Sequence, residues 1–441
     1  MKDWREEYER KMVPAEEAAK LVKSGDRIGF TTGREAHAIG LAIAARKEEL
    51  RNVQVYVPTP GYDFGWYDPG WEDSFKIIVS FPLGVNQEMV EERRCDIAFG
   101  TLLPFDMEYF KGGIDVLLTE VSSPDDQGFC SFGQSLWNKK SQVREAKLVI
   151  AEVNPRLIRT YGDNYVHVSE IDYFVEHVSS GERPGGTSLL GKKAKKEPDA
   201  TQREIAKHVS GLIKDGDTLQ IGVGRATEPL VSLGILDGKH DIGYHSEATV
   251  PGIIRLVREG VINGKYKTVR PGKVVVTSVG GDTREEVQWV HMNPLFELVD
   301  VDYLEDVRVI ASIDNMVTIN QALAIDLSGQ VTAESLGTRL LSGAGGQVPF
   351  QIGALLSKGG RAITVLPSTA ENGTVSRIMP TLPEGTTVTI HKNCTDRVVT
   401  EYGVAELGGR SVREKAEQLI GVAHPDFRAE LRKAAQRLYW P

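Results

Sequence analysis

The sequence carries one run of three side chains that are common in enzyme sites: His245, Ser246 and Glu247. They follow a predicted strand at residues 242–244 and precede an apolar segment. A serine that caps a helix, with a glutamate near the helix start, is an ordinary structural arrangement. A carboxylate in such a run can also be catalytic. On the pattern alone the helix cap is the favoured interpretation, because structural carboxylates far outnumber catalytic ones.

Two glycine-rich loops could bind an anionic ligand. The first, after a predicted strand and before a predicted helix, consists of Gly222, Val223, Gly224, Arg225 and Ala226. Glycines there allow close backbone approach, and a helix N-terminus offers amides to phosphate. The structural alternative is a tight strand-to-helix turn, which also needs glycine. The third glycine of a dinucleotide fingerprint is absent, and Pro229 interrupts the early helix.

The second loop consists of Ser342, Gly343, Ala344, Gly345, Gly346 and Gln347. Consecutive glycines beside a polar amide can present backbone N–H groups to an oxyanion. The alternative is a flexible turn between two strands, and the pattern does not separate the two interpretations.

Several familiar chemistries lack their motifs in the sequence. It contains no GxxxxGK[ST] loop for nucleotides, no HExxH motif for zinc and no GxSxG serine elbow. His240 and His245 are five residues apart, a poor spacing for sharing one metal. These observations predict an activity without a metal and without a catalytic serine.

The elements that would position these residues alternate between short apolar runs and segments with helical spacing. The runs that predict strands are 53–57, 77–81, 114–121, 148–153, 273–279, 307–313 and 362–366. The segments that predict helices are 16–22, 253–261, 412–422 and 425–439, with Ser411 and Glu414 forming a capping box. This alternation predicts an α/β fold with largely parallel sheets.

The chain also contains an internal repeat. Residues 21–34 match residues 212–225 at a constant offset of 191, with six of fourteen positions identical. A segment rich in glycine, proline and lysine at 181–201 predicts a linker between the copies. We therefore expect two similar α/β domains, at 1–190 and 191–441, with a ligand site in the cleft between them.

Composition places further limits on function. The net charge of -9 argues against a nucleic-acid-binding protein. No apolar run approaches a membrane span, and the first residues lack the apolar core of a signal peptide. Three separated cysteines, Cys95, Cys130 and Cys394, are typical of a reducing compartment. These features predict a cytoplasmic enzyme with no nucleic-acid or membrane partner.

Many ordered stretches resemble the acetyl-CoA hydrolase/transferase group of family I CoA-transferases, especially its 4-hydroxybutyrate and butyrate/acetate branch. In the second half they include HSE (245–247), DNMVTIN (314–320), DLSGQV (326–331), SGAGGQ (342–347), VTEYGVA (399–405) and AHPDFR (423–428). In the first half VSSPD (121–125) and GFCSFG (128–133) match the same family. The resemblance covers most of the chain.

The resemblance implies two similar α/β domains with the active site between them, and it makes Glu247 the catalytic carboxylate. It also implies that coenzyme A contacts residues 222–226, Leu323 and Gly346. The implied substrates are an acyl-CoA and a carboxylic acid such as acetate, butyrate or 4-hydroxybutyrate. No metal or nucleotide is implied, and relatives are often homodimers or homotetramers.

The implied mechanism is ping-pong transfer of CoA. The carboxylate attacks the thioester to give an acyl-glutamyl anhydride and CoA thiolate, and the thiolate then forms a glutamyl-CoA thioester. A second acid reverses both steps. The backbone amides of Gly345 and Gly346, beside Gln347, are the candidates for stabilising the oxyanions.

This sequence departs from the family pattern at several positions. An Asn-Asp-Pro or Asn-His-Pro signature, whose asparagine assists the acyl carbonyl in some relatives, reads Glu305-Asp306-Val307. An aspartate and an arginine of the glutamine loop are replaced by Pro349 and Ile352, which we interpret as the joint loss of a pair. The basic residue that often follows the Pro-Ser-Thr-Ala stretch is missing at Asn372.

An aromatic segment in the first half has two interpretations. It contains Tyr62, Phe64, Trp66, Tyr67 and Trp71 between glycines. It could form an apolar wall for a bulky acyl group, or its rings could pack a long loop onto the core, which is the favoured interpretation.

Three alternatives to CoA transfer stay open at this stage. An acyl-CoA hydrolase on the same scaffold would differ only in the use of water to resolve the glutamyl thioester. A non-catalytic CoA-thioester-binding protein is suggested by Glu305. A nucleotide-binding oxidoreductase, suggested by the loop at 222–226 alone, lacks an acidic partner for the dinucleotide.

Overall fold

The computed structural model describes residues 3–33, 35–82, 87–98, 113–178, 197–280 and 283–440. The chain divides into two compact units. Unit 1 comprises residues 1–193, 277–279 and 287–303, and unit 2 comprises residues 194–276, 280–286 and 304–441. Most of the predicted linker at 181–201 lies outside the described residues.

The helices of the described residues are α1 (Trp4–Lys11), α2 (Ala15–Ala19), α3 (His37–Ala44), α4 (Gln87–Glu91), α5 (Lys139–Glu145), α6 (Ala200–Ser210), α7 (Ile253–Arg258), α8 (Arg284–Val290), α9 (Val301–Leu304), α10 (Val307–Ala311), α11 (Gln347–Leu356), α12 (Val412–Val422) and α13 (Pro425–Tyr439). Short 3-10 turns lie at Val168–Glu170, Glu228–Leu230 and Glu371–Gly373.

The strands of unit 1 and its neighbouring segments are β1 (Arg27–Phe30), β2 (Val53–Tyr56), β3 (Phe75–Val79), β4 (Asp96–Ile97), β5 (Val116–Val121), β6 (Phe129–Ser131), β7 (Leu148–Val153), β8 (Tyr161–Gly162), β9 (Tyr165–His167) and β10 (Tyr173–Glu176). The remaining strands are β11 (Thr218–Ile221), β12 (Gly243–Ala248), β13 (Val274–Ser278), β14 (Phe296–Leu298), β15 (Met316–Gln321), β16 (Ala324–Asp326), β17 (Val331–Thr332), β18 (Ser335–Leu336), β19 (Arg339–Leu340), β20 (Arg361–Val365), β21 (Thr369–Ala370), β22 (Val375–Ser376), β23 (Ile378–Met379), β24 (Arg397–Thr400) and β25 (Gly403–Glu406).

Unit 1 contains a parallel sheet with the strand order β10-β7-β5-β1-β2-β3-β4. Its central strands carry consecutive apolar residues because both faces of a parallel sheet are covered. Every residue of β5 is buried, and β7 is buried apart from its first residue. The predicted α/β architecture with parallel sheets is therefore confirmed in this half.

Unit 2 contains a sheet that runs β25-β24-β20-β15-β11-β12-β13. The pairs from β24 to β12 are parallel, and β25 returns antiparallel to β24 at the edge. In both sheets the strand of the repeated segment, β1 or β11, lies between its sequence successor and a later strand. Such a reversal of strand order opens a crevice at the carboxyl ends of the strands, where α/β proteins bind ligands.

The two repeated segments form the same turn before their strands. In the first copy the Lys23 amide donates to the Asp26 carboxylate over 2.7 Å, and in the second the Lys214 amide donates to the Asp217 carboxylate over 2.6 Å. The glycines that precede these aspartates, Gly25 and Gly216, have φ of 86° and 78°. A left-handed backbone at the same position explains why glycine occurs in both copies.

Two predictions about local structure were wrong. Residues 307–313, predicted as a strand, form helix α10, because Asp306 accepts a hydrogen bond from the Arg308 amide and caps it. The helix then packs closely on α11, where a side chain at Gly353 would meet Ile310 at 2.4 Å. The strand predicted at 242–244 continues to Ala248 as β12 and includes the His-Ser-Glu run, so Ser246 is not a helix cap.

Candidate active site

Glu247 lies near the carboxyl end of β12, inside unit 2. All other residues of this strand are buried, and Glu247 alone is partly exposed. Side chains alternate along a strand, so His245 and Glu247 share one face of β12. Strand β12 therefore presents the Glu247 carboxylate near its carboxyl end.

The second glycine loop reaches this carboxylate. The amide of Gly346 donates a hydrogen bond of 2.8 Å to Oε1 of Glu247. The loop follows β19 and runs into α11, which begins at Gln347, so the alternative of a turn between two strands is wrong. The hydrogen bond brings together two residues that are 99 positions apart in sequence.

Only glycine fits at position 346 in this geometry. A Cβ atom there would lie 2.5 Å from Oε1 of Glu247 and 2.6 Å from Oε1 of Glu305, closer than real Cβ contacts. Its neighbour Gly345 has a φ of 55°, a left-handed conformation that also favours glycine. Gln347 is buried, and its Nε2 has no hydrogen-bond partner among the described residues. The loop thus holds a backbone amide beside the carboxylate.

Glu305 is the residue that the sequence did not place in this site. It lies between α9 and α10 and is 0% exposed. Since its Oε1 and that of Glu247 both lie close to the Cβ position of Gly346, the two oxygens are within about 5 Å of each other. The only available signal was the departure from an asparagine signature at Glu305, which did not reveal this proximity.

His245 fixes the turn that carries Glu305. Its Nε2 lies 2.9 Å from the carbonyl oxygen of Leu304, and its ring packs edge-on to Phe350 of α11. Burial, followed by the charge of Lys267, lowers the pKa of His245 to about 3. A neutral imidazole with its proton on Nε2 donates to the Leu304 carbonyl, so His245 holds the turn between Leu304 and Glu305 in place.

The first glycine loop lies at the carboxyl end of β11, where the strand order of unit 2 reverses. No α-helix begins after it, contrary to the prediction, because Pro229 follows and only the 3-10 turn at Glu228–Leu230 forms. The loop is held instead by glutamines: Oε1 of Gln321 accepts from the Ala226 amide over 3.1 Å, and Nε2 of Gln202 donates to the Arg225 carbonyl over 3.0 Å. Any phosphate contact at this loop therefore uses turn amides rather than a helix N-terminus.

Arginine side chains collect beside this loop and Leu323. Arg377 donates to the Leu323 carbonyl over 2.8 Å and to the Thr369 carbonyl over 3.2 Å. Burial, and then the nearby guanidinium of Arg225, lower the pKa of Arg377. Arg225 itself is exposed. Two neighbouring guanidinium groups favour an anionic ligand, and Arg377 was not singled out from the sequence.

The aromatic segment of unit 1 forms core. Phe64, Trp66 and Tyr67 are buried in the main apolar cluster of that unit, while Tyr62 and Trp71 pack against it partly buried. Phe64 and Trp66 have ring centroids 4.7 Å apart. This packing agrees with the favoured interpretation, in which the rings hold a loop on the core.

Within the part of the chain that the structure describes, no three His, Cys, Asp or Glu side chains are grouped so that they could hold a metal ion. Among the same residues no helix has the length and apolar character needed to cross a membrane.

Comparison with known proteins shows the family. The acetyl-CoA hydrolase/transferase N-terminal domain matches residues 1–180, and the C-terminal domain of the same family matches residues 283–435. The chain is 40% identical over 437 residues to 4-hydroxybutyrate coenzyme A transferase of Clostridium kluyveri, covering 97% of this chain and 98% of that protein. It is 35% identical to succinyl-CoA:cyclohexane-1-carboxylate CoA transferase of Geobacter metallireducens, covering 99% and 98%.

The fold is that of solved relatives. The crystal structure of RipA from Yersinia pestis aligns over 100% of both chains with a TM-score of 0.89 and 29% identity. Since relatives that match nearly the whole chain are named CoA transferases, the chain is an enzyme of the CoA-transferase class. The chain belongs to the acetyl-CoA hydrolase/transferase family, as its motifs predicted.

Proposed function

We propose that this protein transfers CoA between an acyl-CoA and a carboxylic acid by a ping-pong mechanism, with Glu247 as the nucleophile. The supporting observation is the hydrogen bond from the Gly346 amide to Glu247 Oε1. It holds a partly exposed carboxylate at the carboxyl edge of a parallel sheet, where ligands of α/β proteins bind.

In the first step the free oxygen of Glu247 attacks the thioester carbonyl carbon. The C–S bond breaks, CoA leaves as a thiolate, and an acyl-glutamyl anhydride forms. The thiolate then attacks Cδ of Glu247, which releases the first acid and leaves a glutamyl-CoA thioester. In that second step negative charge develops on the Glu247 oxygen that the Gly346 amide already contacts, so this amide acts as a preorganised oxyanion donor.

CoA is proposed to lie along residues 222–226, Leu323 and Gly346. The exposed Arg225 and the half-buried Arg377 supply positive charge for its phosphates. Leu323, held through its carbonyl by Arg377, supplies apolar contact. Two hydrogen bonds support the placement of these residues in one site. Gln321, at the end of β15, bonds to the loop at 222–226, and Arg377 bonds to Leu323 just before β16.

The substrate class is a non-aromatic carboxylic acid of short or medium size. One relative is named for 4-hydroxybutyrate and another for cyclohexane-1-carboxylate. The protein is further proposed to be cytoplasmic and to form a homodimer or homotetramer. These points stay predictions.

The function is tested by incubating the protein with 4-hydroxybutyryl-CoA or butyryl-CoA and acetate, and measuring both acetyl-CoA and free CoA. We expect acetyl-CoA to form with parallel double-reciprocal lines, as ping-pong kinetics require. Release of free CoA at the same rate without acetate would identify an acyl-CoA hydrolase instead. Tight CoA binding with no turnover across a panel of acyl-CoAs would identify a non-catalytic binding protein.

A further inference from the structure

The loop at 222–226 is fastened to strand β15 at both of its ends. The amide of Gly222 donates to the carbonyl oxygen of Ile319 over 2.8 Å. The amide of Ala226 donates to Oε1 of Gln321 over 3.1 Å. The first bond joins two backbone groups, so any residue could accept it, whereas the second depends on a side chain. The carboxamide of Gln321 therefore holds the far end of this loop to the sheet.

Between these two bonds the loop contains three backbone amides that are not used within the protein. Among the residues that the structure describes, the N–H groups of Val223, Gly224 and Arg225 donate no hydrogen bond. Val223 and Gly224 are partly exposed and Arg225 is exposed, so a ligand can approach this part of the loop. Consecutive backbone N–H groups in a turn form a concavity that binds anions. The ligand group that this chemistry favours is a phosphate of CoA.

The carboxamide of Gln321 also lies directly under Gly224. A Cβ atom at position 224 would come closer to Cδ, Nε2 and Oε1 of Gln321 than real Cβ contacts allow. Oδ1 of Asn320 restricts Gly222 in the same way. Both glycines of this loop are therefore required because the loop packs on the two carboxamides at the end of β15.

The end of β15 is itself held on both sides. Gln321 pairs with Val365 of β20 in the parallel sheet. On the other side, Nδ2 of Asn320 donates to Oε1 of Gln220 over 3.1 Å, and Nε2 of Gln220 donates to Oδ1 of Asn320 over 2.9 Å. Asn320 and Gln220 are both buried. Because this strand end is fixed by its neighbours, Gln321 extends from a rigid support toward the loop.

We propose that Gln321 is a positioning residue for CoA, which keeps the loop at 222–226 in the conformation that offers its three unused amides to a phosphate of the ligand. This inference rests on the proposed function, in which the same loop binds CoA. In this role Gln321 acts through the loop and not on the thioester. Its effect should therefore depend on the phosphates of the substrate, and a thioester that lacks them should not respond to its loss.

The test compares butyryl-CoA with butyryl-pantetheine as donors to acetate, in Q321M and in the unchanged protein. Methionine fills a similar space, but its thioether is a weak acceptor for the Ala226 amide. We expect the KM for butyryl-CoA to rise about tenfold in Q321M, with kcat within about twofold, because the lost interaction serves binding alone. Butyryl-pantetheine has no phosphate, so its kcat/KM should stay within about twofold of that of the unchanged protein.

Q418M is the matched control. Gln418 of α12 is also partly exposed, and its Oε1 also accepts from a backbone amide, that of Glu406, over 3.3 Å. Q418M should use both thioesters at the rates of the unchanged protein. If Q321M lowers kcat/KM for the two thioesters by the same factor, or for neither of them, Gln321 does not position the loop for a phosphate.

Calorimetric titration with CoA separates this inference from the proposed function. If CoA binds the unchanged protein and Q321M with equal Kd, and the unchanged protein transfers CoA, only the role of Gln321 is wrong. If CoA does not bind the unchanged protein, or no acyl-CoA is turned over, the proposed function itself is wrong. Q321L, which is of similar size and has no acceptor, replaces Q321M should thermal melting show that Q321M does not fold.

Discussion

At the scale of single residues, the most constrained position of the site is Gly346. Its amide holds the proposed nucleophile, and its missing side chain leaves room for two carboxyl groups. Its φ of -78° is allowed for any residue, so the requirement for glycine comes from space and not from backbone conformation.

This leads to a prediction for G346A. A methyl group 2.5 Å from Glu247 Oε1 must displace the carboxylate or the loop. We expect kcat to fall by about 100-fold or more, comparable to removal of an oxyanion donor, with the melting temperature little changed. The matched control is G421A in α12, where nothing lies within 4 Å of the added Cβ. Equal activity of the two variants would contradict the geometry described for the site.

The residues of the site were predictable to different degrees. Glu247, Gly346 and the loop at 222–226 were named from motifs, and the structure brings Glu247 and Gly346 into contact. Glu305 and Arg377 were not assigned roles, because their importance depends on folding distant segments onto the same edge of a sheet. No local sequence pattern predicts that a buried glutamate will lie beside another carboxylate.

At the scale of elements, an apolar run predicted β7, and helix-start residues predicted α12 and α13, with their observed bounds. The β-branched run after Asp306 looks like a strand, yet capping by Asp306 and packing on α11 make it a helix. The polar run His-Ser-Glu looks like the end of a strand, yet β12 continues through it to Ala248. In the first case packing on a distant helix overrides the local strand preference.

A buried glutamate at the carboxyl edge of the unit 1 sheet makes the stability of the fold depend on pH. Glu35 follows β1 and accepts from the Gly61 amide over 3.1 Å. Burial raises its pKa to about 8 from an ordinary value of 4.5, against the opposing effect of hydrogen bonds from Gly61 and Tyr62. The folded state binds this proton more tightly than the unfolded chain. The resulting contribution to stability is complete below pH 4.5 and is lost as the pH rises through 8.

We therefore expect E35Q to flatten the pH dependence of folding. Between pH 5 and pH 9 the free energy of unfolding of the unchanged protein should fall more than that of E35Q, by an amount on the order of a few kcal/mol. Denaturant unfolding at several pH values measures this difference. E9Q, which removes an exposed glutamate of α1, should behave as the unchanged protein. Superimposable curves for E35Q and the unchanged protein would show that Glu35 is not a buried acid.

At the scale of the whole molecule, the repeat detected in the sequence corresponds to equivalent strands in the two sheets. β1 and β11 each lie where the strand order reverses, and each follows the same Gly-Asp turn. We infer that the two units arose by duplication of one ancestral α/β unit. Their carboxyl edges nevertheless carry different chemistry: buried Glu35 in unit 1, and Glu247 beside Gly346 in unit 2.

The central claim is that Glu247 becomes covalently attached to CoA. The most direct measurement is the intact mass of the protein after incubation with 4-hydroxybutyryl-CoA, butyryl-CoA and acetyl-CoA, followed by borohydride reduction and peptide mapping. We predict an adduct of CoA, or the reduced hydroxy amino acid, at position 247, and its absence in E247Q. A CoA adduct at another residue, or turnover by E247Q at the rate of the unchanged protein, would contradict the claim.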